Sequence, residues 1–167
     1  MGTRWIAAYS YTGGELETVV KKLGKRPDFM FHIDSERKAQ DFFMWLISPL
    51  VLAEDTLITL HGFKYIIPPP IVHKFPRILN IHPAPLLTHP ELKGKDPQRR
   101  QWDSWPIYPW IGVTIHVVTN EIDSGEIIAE TSLKRLHRPW CYTSFLDELR
   151  ILSTHLWVRV LGEEIKC

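Results

Sequence analysis

Short apolar runs alternate with amphipathic stretches through the first 60 residues, and this alternation limits the possible folds more than any other feature. Arg4–Tyr9 (RWIAAY), residues 28–33 (DFMFHI) and residues 57–60 (LITL) read as strands, the last continuously apolar as buried parallel strands are. Between them, Glu15–Leu23 places Leu16, Val19, Val20 and Leu23 at helical spacing. Residues 36 to about 47 do the same with Ala39, Phe42, Phe43, Leu46 and Ile47, after Ser35 as an N-cap. Strand, helix, strand, helix, strand predicts an α/β fold with a parallel sheet and right-handed crossovers.

A fourth apolar run, Arg77-Ile78-Leu79, leads into Asn80-Ile81-His82. On an extended backbone Asn80 and His82 point to the same side. Pro83 and Pro85 then stop the strand and fix the chain direction. An amide and an imidazole at the carboxyl end of a strand lie where ligands gather in open α/β sheets. A capping Asn beside a core His fits the tripeptide equally well.

The remaining chain reads as a short segment around Val72, a long polar and aromatic loop over 88–108 with one helical turn near 98–102, and strands over 112–119 and 126–133. A loop of that length in a compact domain is either functional or a mistaken assignment of elements. A last helix, 143–161, carries Phe145, Leu149, Leu152, Leu156 and Val160 at core spacing. The turn Ser10-Tyr11-Thr12-Gly13-Gly14 opens the first helix, where backbone N–H groups can hold an anion. Glu15 suits the helix dipole there but would repel a phosphate.

A chain of 167 residues with 44% hydrophobic content fits one domain with its own core. The net charge of +1 gives no electrostatic case for nucleic-acid or membrane binding. The basic cluster Lys93, Lys95, Arg99 and Arg100 reads as a solvated loop. Two cysteines, Cys141 and Cys167, lie outside metal or redox spacing, which suggests a reducing, cytoplasmic setting. Neither a secretory signal nor a membrane span is evident in the sequence.

Three motifs in order resemble the folate-dependent formyltransferase family. Asn80-Ile81-His82-Pro83-Ala84-Pro85-Leu86 is similar to its Asn-x-His-Pro signature. Residues 112–125, from Gly112-Val113-Thr114-Ile115-His116 to Asp123-Ser124-Gly125, resemble its Gly-x-Thr-x-His strand and Asp-x-Gly loop. Residues 60–67 resemble the turn lining its pterin pocket. The resemblance implies a Rossmann-like domain spanning 1–167, with a mostly parallel sheet flanked by helices and trimmed by about one helix–strand unit. It implies formyl transfer from the cosubstrate 10-formyltetrahydrofolate to a small-molecule amine, an amino-sugar nucleotide or nucleotide-like compound, with no metal. Asn80, His82 and Asp123 would be catalytic. Leu60, Tyr65, Ile66, Ile67, Val72, Val118, Asn120 and Glu121 would bind the folate, and Thr12, Gly13, Gly14 and Glu15 the acceptor.

His116 also matches a family position, but the strand pattern favours structural support. His61 reads as core or loop packing. Loop 10–16 keeps the glycine of the family's phosphate cradle and replaces both asparagines, which weakens a ribonucleotide acceptor. Trp102, Trp105 and Trp110 could stack on an acceptor or pack on the core; such Trp-rich surface is compatible with a homodimer. A formyltetrahydrofolate hydrolase and a non-catalytic folate- or nucleotide-binding module are the alternatives.

Overall fold

The computed structural model describes residues 3–11, 14–105, 107–135 and 137–165. Six strands form one sheet in the order β2-β1-β3-β4-β5-β6. They are β1 (Arg4–Tyr9), β2 (Phe29–His32), β3 (Thr56–His61), β4 (Ile78–His82), β5 (Trp110–Val117) and β6 (Ile127–Lys134). The β2-β1-β3-β4 neighbours are parallel, and β5 and β6 continue the sheet antiparallel. A single helix lies between β2 and β3, as the sequence requires.

Side-chain alternation divides the core in two. Trp5, Ala7, Leu57, Leu79, Ile81, Val113 and Ile115 face α1 (Glu15–Leu23) and α5 (Tyr142–Glu164), whose Leu16, Val19, Phe145 and Trp157 complete that cluster. Ile6, Ala8, Ile58, Leu60 and Ile78 face α2 (Glu36–Ile47) and α3 (Pro69–Lys74), meeting Ala39, Phe42, Leu46 and Ile71. Ser35 caps α2, accepting from the Lys38 N–H. Strands β1, β3 and β4 therefore contribute alternate residues to opposite layers, and the two faces of their carboxyl ends look into different surroundings.

The structure sharpens or corrects the sequence reading in three places. The stretch around Val72 is a helix, because Pro69 and Pro70 occupy its first turn, where no N–H is needed. Ile47, expected inside, is 45% exposed at the last residue of α2. The 88–108 loop holds a 3-10 turn (Pro90–Leu92) and a helix, α4 (Pro97–Asp103), before β5 begins at Trp110.

The β5–β6 turn is set by a close approach. A Cβ on Gly125 would lie 1.9 Å from the Val117 carbonyl oxygen, well inside any permitted contact. Gly125→Ala should therefore displace the 118–125 turn and cost about 2 kcal/mol. Urea denaturation measures the loss; unchanged stability would show that the turn yields freely.

Candidate active site

Asn80 and His82 share the face of β4 that looks toward α2 and α3, because Ile78 on the same alternation belongs to that cluster. Antiparallel pairing sets Asn80 opposite His116 and His82 opposite Thr114. The β5–β6 register shifts between Ile115 and His116, an irregularity of the kind that re-aims a side chain. Beyond β5 the turn returns Asp123 with φ +50°, a left-handed conformation that Asp tolerates better than larger residues.

Asp123 joins these elements. Its Oδ2 lies 3.1 Å from His82 Nδ1 and accepts the Gly94 N–H at 2.9 Å; Oδ1 lies 3.3 Å from His116 Nε2. Burial of the carboxyl opposes its charge. The hydrogen bonds to His116 and His82, the positive charge of His82 and the Gly94 N–H outweigh that cost and hold its pKa far below the ordinary 3.8. His82 is 4% exposed, and its Nε2 lies 2.9 Å from the Leu92 carbonyl. A carboxylate on one side and a carbonyl on the other are both acceptors, so the ring satisfies both only as imidazolium. The Asn80 amide nitrogen lies 3.4 Å from His116 Nε2. His116 Nδ1 in turn lies 3.0 Å from the Val117 carbonyl.

Two sequence readings change here. His116, read as structural support, stands directly on the carboxylate. Its presence beside Asn80 depended on the β4–β5 register, which no local pattern reveals. Arg100, read as part of a solvated loop, binds the carbonyls of Glu91 (2.9 Å), Leu92 (2.9 Å), Lys93 (2.6 Å) and Lys95 (3.1 Å). Leu92 and Gly94 are the residues that contact His82 and Asp123, so Arg100 shapes the loop holding both. Gly94, at φ +82°, supplies a backbone bend that favours glycine.

Of the expected folate contacts, Leu60 and Ile67 are buried core residues, with Tyr65, Val72 and Val118 packed against the same cluster. Ile66 is 74% exposed and stands apart from them. Asn120 and Glu121 are exposed in the turn before Asp123, with the Asn120 side chain 3.2 Å from His73 Nε2. Trp102 packs against Tyr142 and Phe145 with the Arg138 guanidinium 3.8 Å over its ring, which places it among core contacts.

A cleft of about 560 Å³ opens on the opposite face of the same sheet end. Tyr9, His61, Ile81 and Pro83 line it from the ends of β1, β3 and β4, and Gly14, Glu15 and Leu16 from the start of α1. β1 and β3 are adjacent although their connections leave in opposite directions, which is where α/β sheets place ligands. Of the four residues expected to meet the acceptor, Gly14 and Glu15 line this cleft, and Thr12 and Gly13 lie outside the described residues.

The fold thus sets a polar cluster at the carboxyl end of a central strand of an α/β sheet. The formyl transferase family model matches residues 27–138, and the chain belongs to that family. Over 80 residues it is 38% identical to the chloroplastic phosphoribosylglycinamide formyltransferase of Arabidopsis thaliana, a match covering 46% of this chain and 27% of that protein. The chain thus aligns with about a quarter of that relative's length. In fold it is similar to phosphoribosylglycinamide formyltransferase from Streptococcus pneumoniae, with TM-score 0.76 and 21% identity over 99% of this chain and all of that one. It is equally similar to a formyltetrahydrofolate deformylase from Pseudomonas syringae, with TM-score 0.77 and 18% identity over 99% of this chain and 62% of the other. No helix among the described residues is long and apolar enough to cross a membrane.

Two measurements check the site. Because the Asp123 pKa is depressed on folding, its stabilisation is present above the unfolded carboxylate value and is lost as pH falls below it. Asp123→Asn should therefore destabilise the protein, and the gap from the native chain should narrow below about pH 4. Denaturant titrations across pH read this, and a gap constant down to pH 2 refutes it. Arg100→Met should speed amide exchange at Gly94 by about tenfold or more, since hydrogen bonds to a charged group are among the stronger ones.

Proposed function

We propose that this chain, as one catalytic domain, transfers a formyl group from 10-formyltetrahydrofolate to the amino group of a small molecule. The observation that carries this reading is the Asp123 carboxylate held between His82 and His116 beside the Asn80 amide. A neutral amine attacks the formyl carbon, and its C–N bond forms as the carbonyl π electrons move onto oxygen. The tetrahedral adduct bears a negative oxygen and a positive nitrogen. The Asn80 N–H and the imidazolium of His82 offset the negative oxygen. In the resting arrangement the His82 Nε2 proton is directed at Leu92, so its donation to the oxyanion requires sharing that bond. Asp123 keeps the ring charged and oriented. Collapse of the adduct breaks the bond to the folate nitrogen, which takes up the proton lost by the amine through water ordered at the carboxylate.

The two faces of the strand end suit this chemistry. The expected folate contacts Leu60, Tyr65, Ile67, Val72 and Val118 cluster on the side of Asn80 and His82, while the cleft opens on the other. Folate and acceptor would meet across the end of β4. Hydrolysis uses the same three groups with water as acceptor, and the likeness to a deformylase keeps that reading in view. The size of the cleft supports an amine larger than water.

His82→Ala and Asn80→Ala should each lower acceptor-dependent tetrahydrofolate release by about 10²–10³-fold with the fold intact. Release independent of any amine would establish the hydrolase. Folate binding without release from the native chain would establish a binding module.

A further inference from the structure

The Glu15–His61 pair takes no part in formyl transfer as proposed, yet it forms part of the cleft. His61 is 3% exposed, with its ring 4.6 Å from that of Trp157. His61 Nδ1 lies 3.0 Å from Glu15 Oε1, and Nε2 lies 2.9 Å from Thr59 Oγ1. The same Thr59 oxygen accepts the indole N–H of Trp5 at 2.9 Å. Thr59 is fully buried, and among the described residues the acceptor available to its hydroxyl proton is His61 Nε2. All donors and acceptors are satisfied in one direction: Trp5 N–H to Thr59, Thr59 O–H to His61 Nε2, His61 Nδ1–H to the Glu15 carboxylate.

The Glu15 carboxylate, accepting from His61, lines the cleft. Among the described residues His61 is the carboxylate's only hydrogen-bond partner. Among the described residues, Arg150 lines the cleft and lies 3.3 Å from Asp147. Glu15 and Glu17 also occupy the first turn of α1, so the positive end of that helix is already answered by carboxylates.

We propose that Glu15 is a specificity-determining group of the acceptor subsite, taking a hydrogen-bond donor of the acceptor, an ammonium or a sugar hydroxyl, and excluding phosphate at that position. The word acceptor rests on the formyl-transfer reading; the preference for a donor rests on the directed hydrogen-bond chain alone.

The test is a titration of protein labelled with ¹⁵N-histidine, following the His61 ring nitrogens without folate. Glucosamine should shift them saturably, and inorganic phosphate should neither shift them nor compete. Glu15→Gln should weaken glucosamine binding by about tenfold or more, as loss of a charged hydrogen-bond partner does. Unshifted His82 resonances would verify that the variant folds. Glucose and propylamine as separate probes distinguish the hydroxyl from the ammonium source. Saturable shifts with phosphate, native affinity in Glu15→Gln, or no response to any donor would overturn the proposal. A protein that transfers formyl groups but fails this titration loses only the subsite, whereas a His61 response without formyl transfer overturns only the catalytic reading.

Discussion

One half-buried carboxylate ties the candidate active site together. Asp123 reaches the end of β4 from the β5–β6 turn and meets His82, His116 and the Gly94 N–H. Those partners come from three separate parts of the chain. A carboxylate in such a place is costly unless each oxygen is satisfied, and here both are. The carboxylate in turn orients the His82 ring, whose Nε2 lies 2.9 Å from the Leu92 carbonyl. The loop 91–95, the turn 118–125 and the β4–β5 register are therefore mutually dependent. Arg100 reinforces one arm from outside by holding four carbonyls of that loop.

The sheet supplies the second organising constraint. Alternation along β4 sends Asn80 and His82 to one layer and Ile81 to the other, so one strand end serves two compartments. Alternation along β3 does the same, sending Leu60 to one cluster while Thr59 and His61 join the Trp5–Glu15 chain of hydrogen bonds on the opposite face. Membership of the formyl transferase family matches the first compartment. The second is where this chain bears its own chemistry, a carboxylate at the start of α1.

Much of this architecture was legible in the sequence. Glu15–Leu23, Glu36–Ile47 and the strand over Arg4–Tyr9 could be bounded because periodicity, caps and glycine act over a few residues. Misreadings fell where long-range contact decides. Ile47 fits a helical stripe, but the stripe outruns the sheet it packs on. His116 reads as a strand residue until β5 pairs with β4 and sets it against Asn80. Arg100 lies in a run of surface charge, and nothing local reveals that the preceding loop curls around its guanidinium.

The sequence by itself determined the element types, the α/β class and the Asn80–His82 pair at a strand end, because spacing along a backbone is a local property. Tertiary structure alone decided which groups share a charge. Asp123 lies 41 positions from His82 in the sequence and 3.1 Å from it in space, and Glu15 meets His61 across 46 positions at 3.0 Å. Ring contacts follow from the fold: His82 lies between the Asp123 carboxylate and the Leu92 carbonyl, while His61 lies between the Glu15 carboxylate and the Thr59 hydroxyl. Two histidines of the same chain thus meet different partners because the fold, not the local sequence, chooses what surrounds each ring.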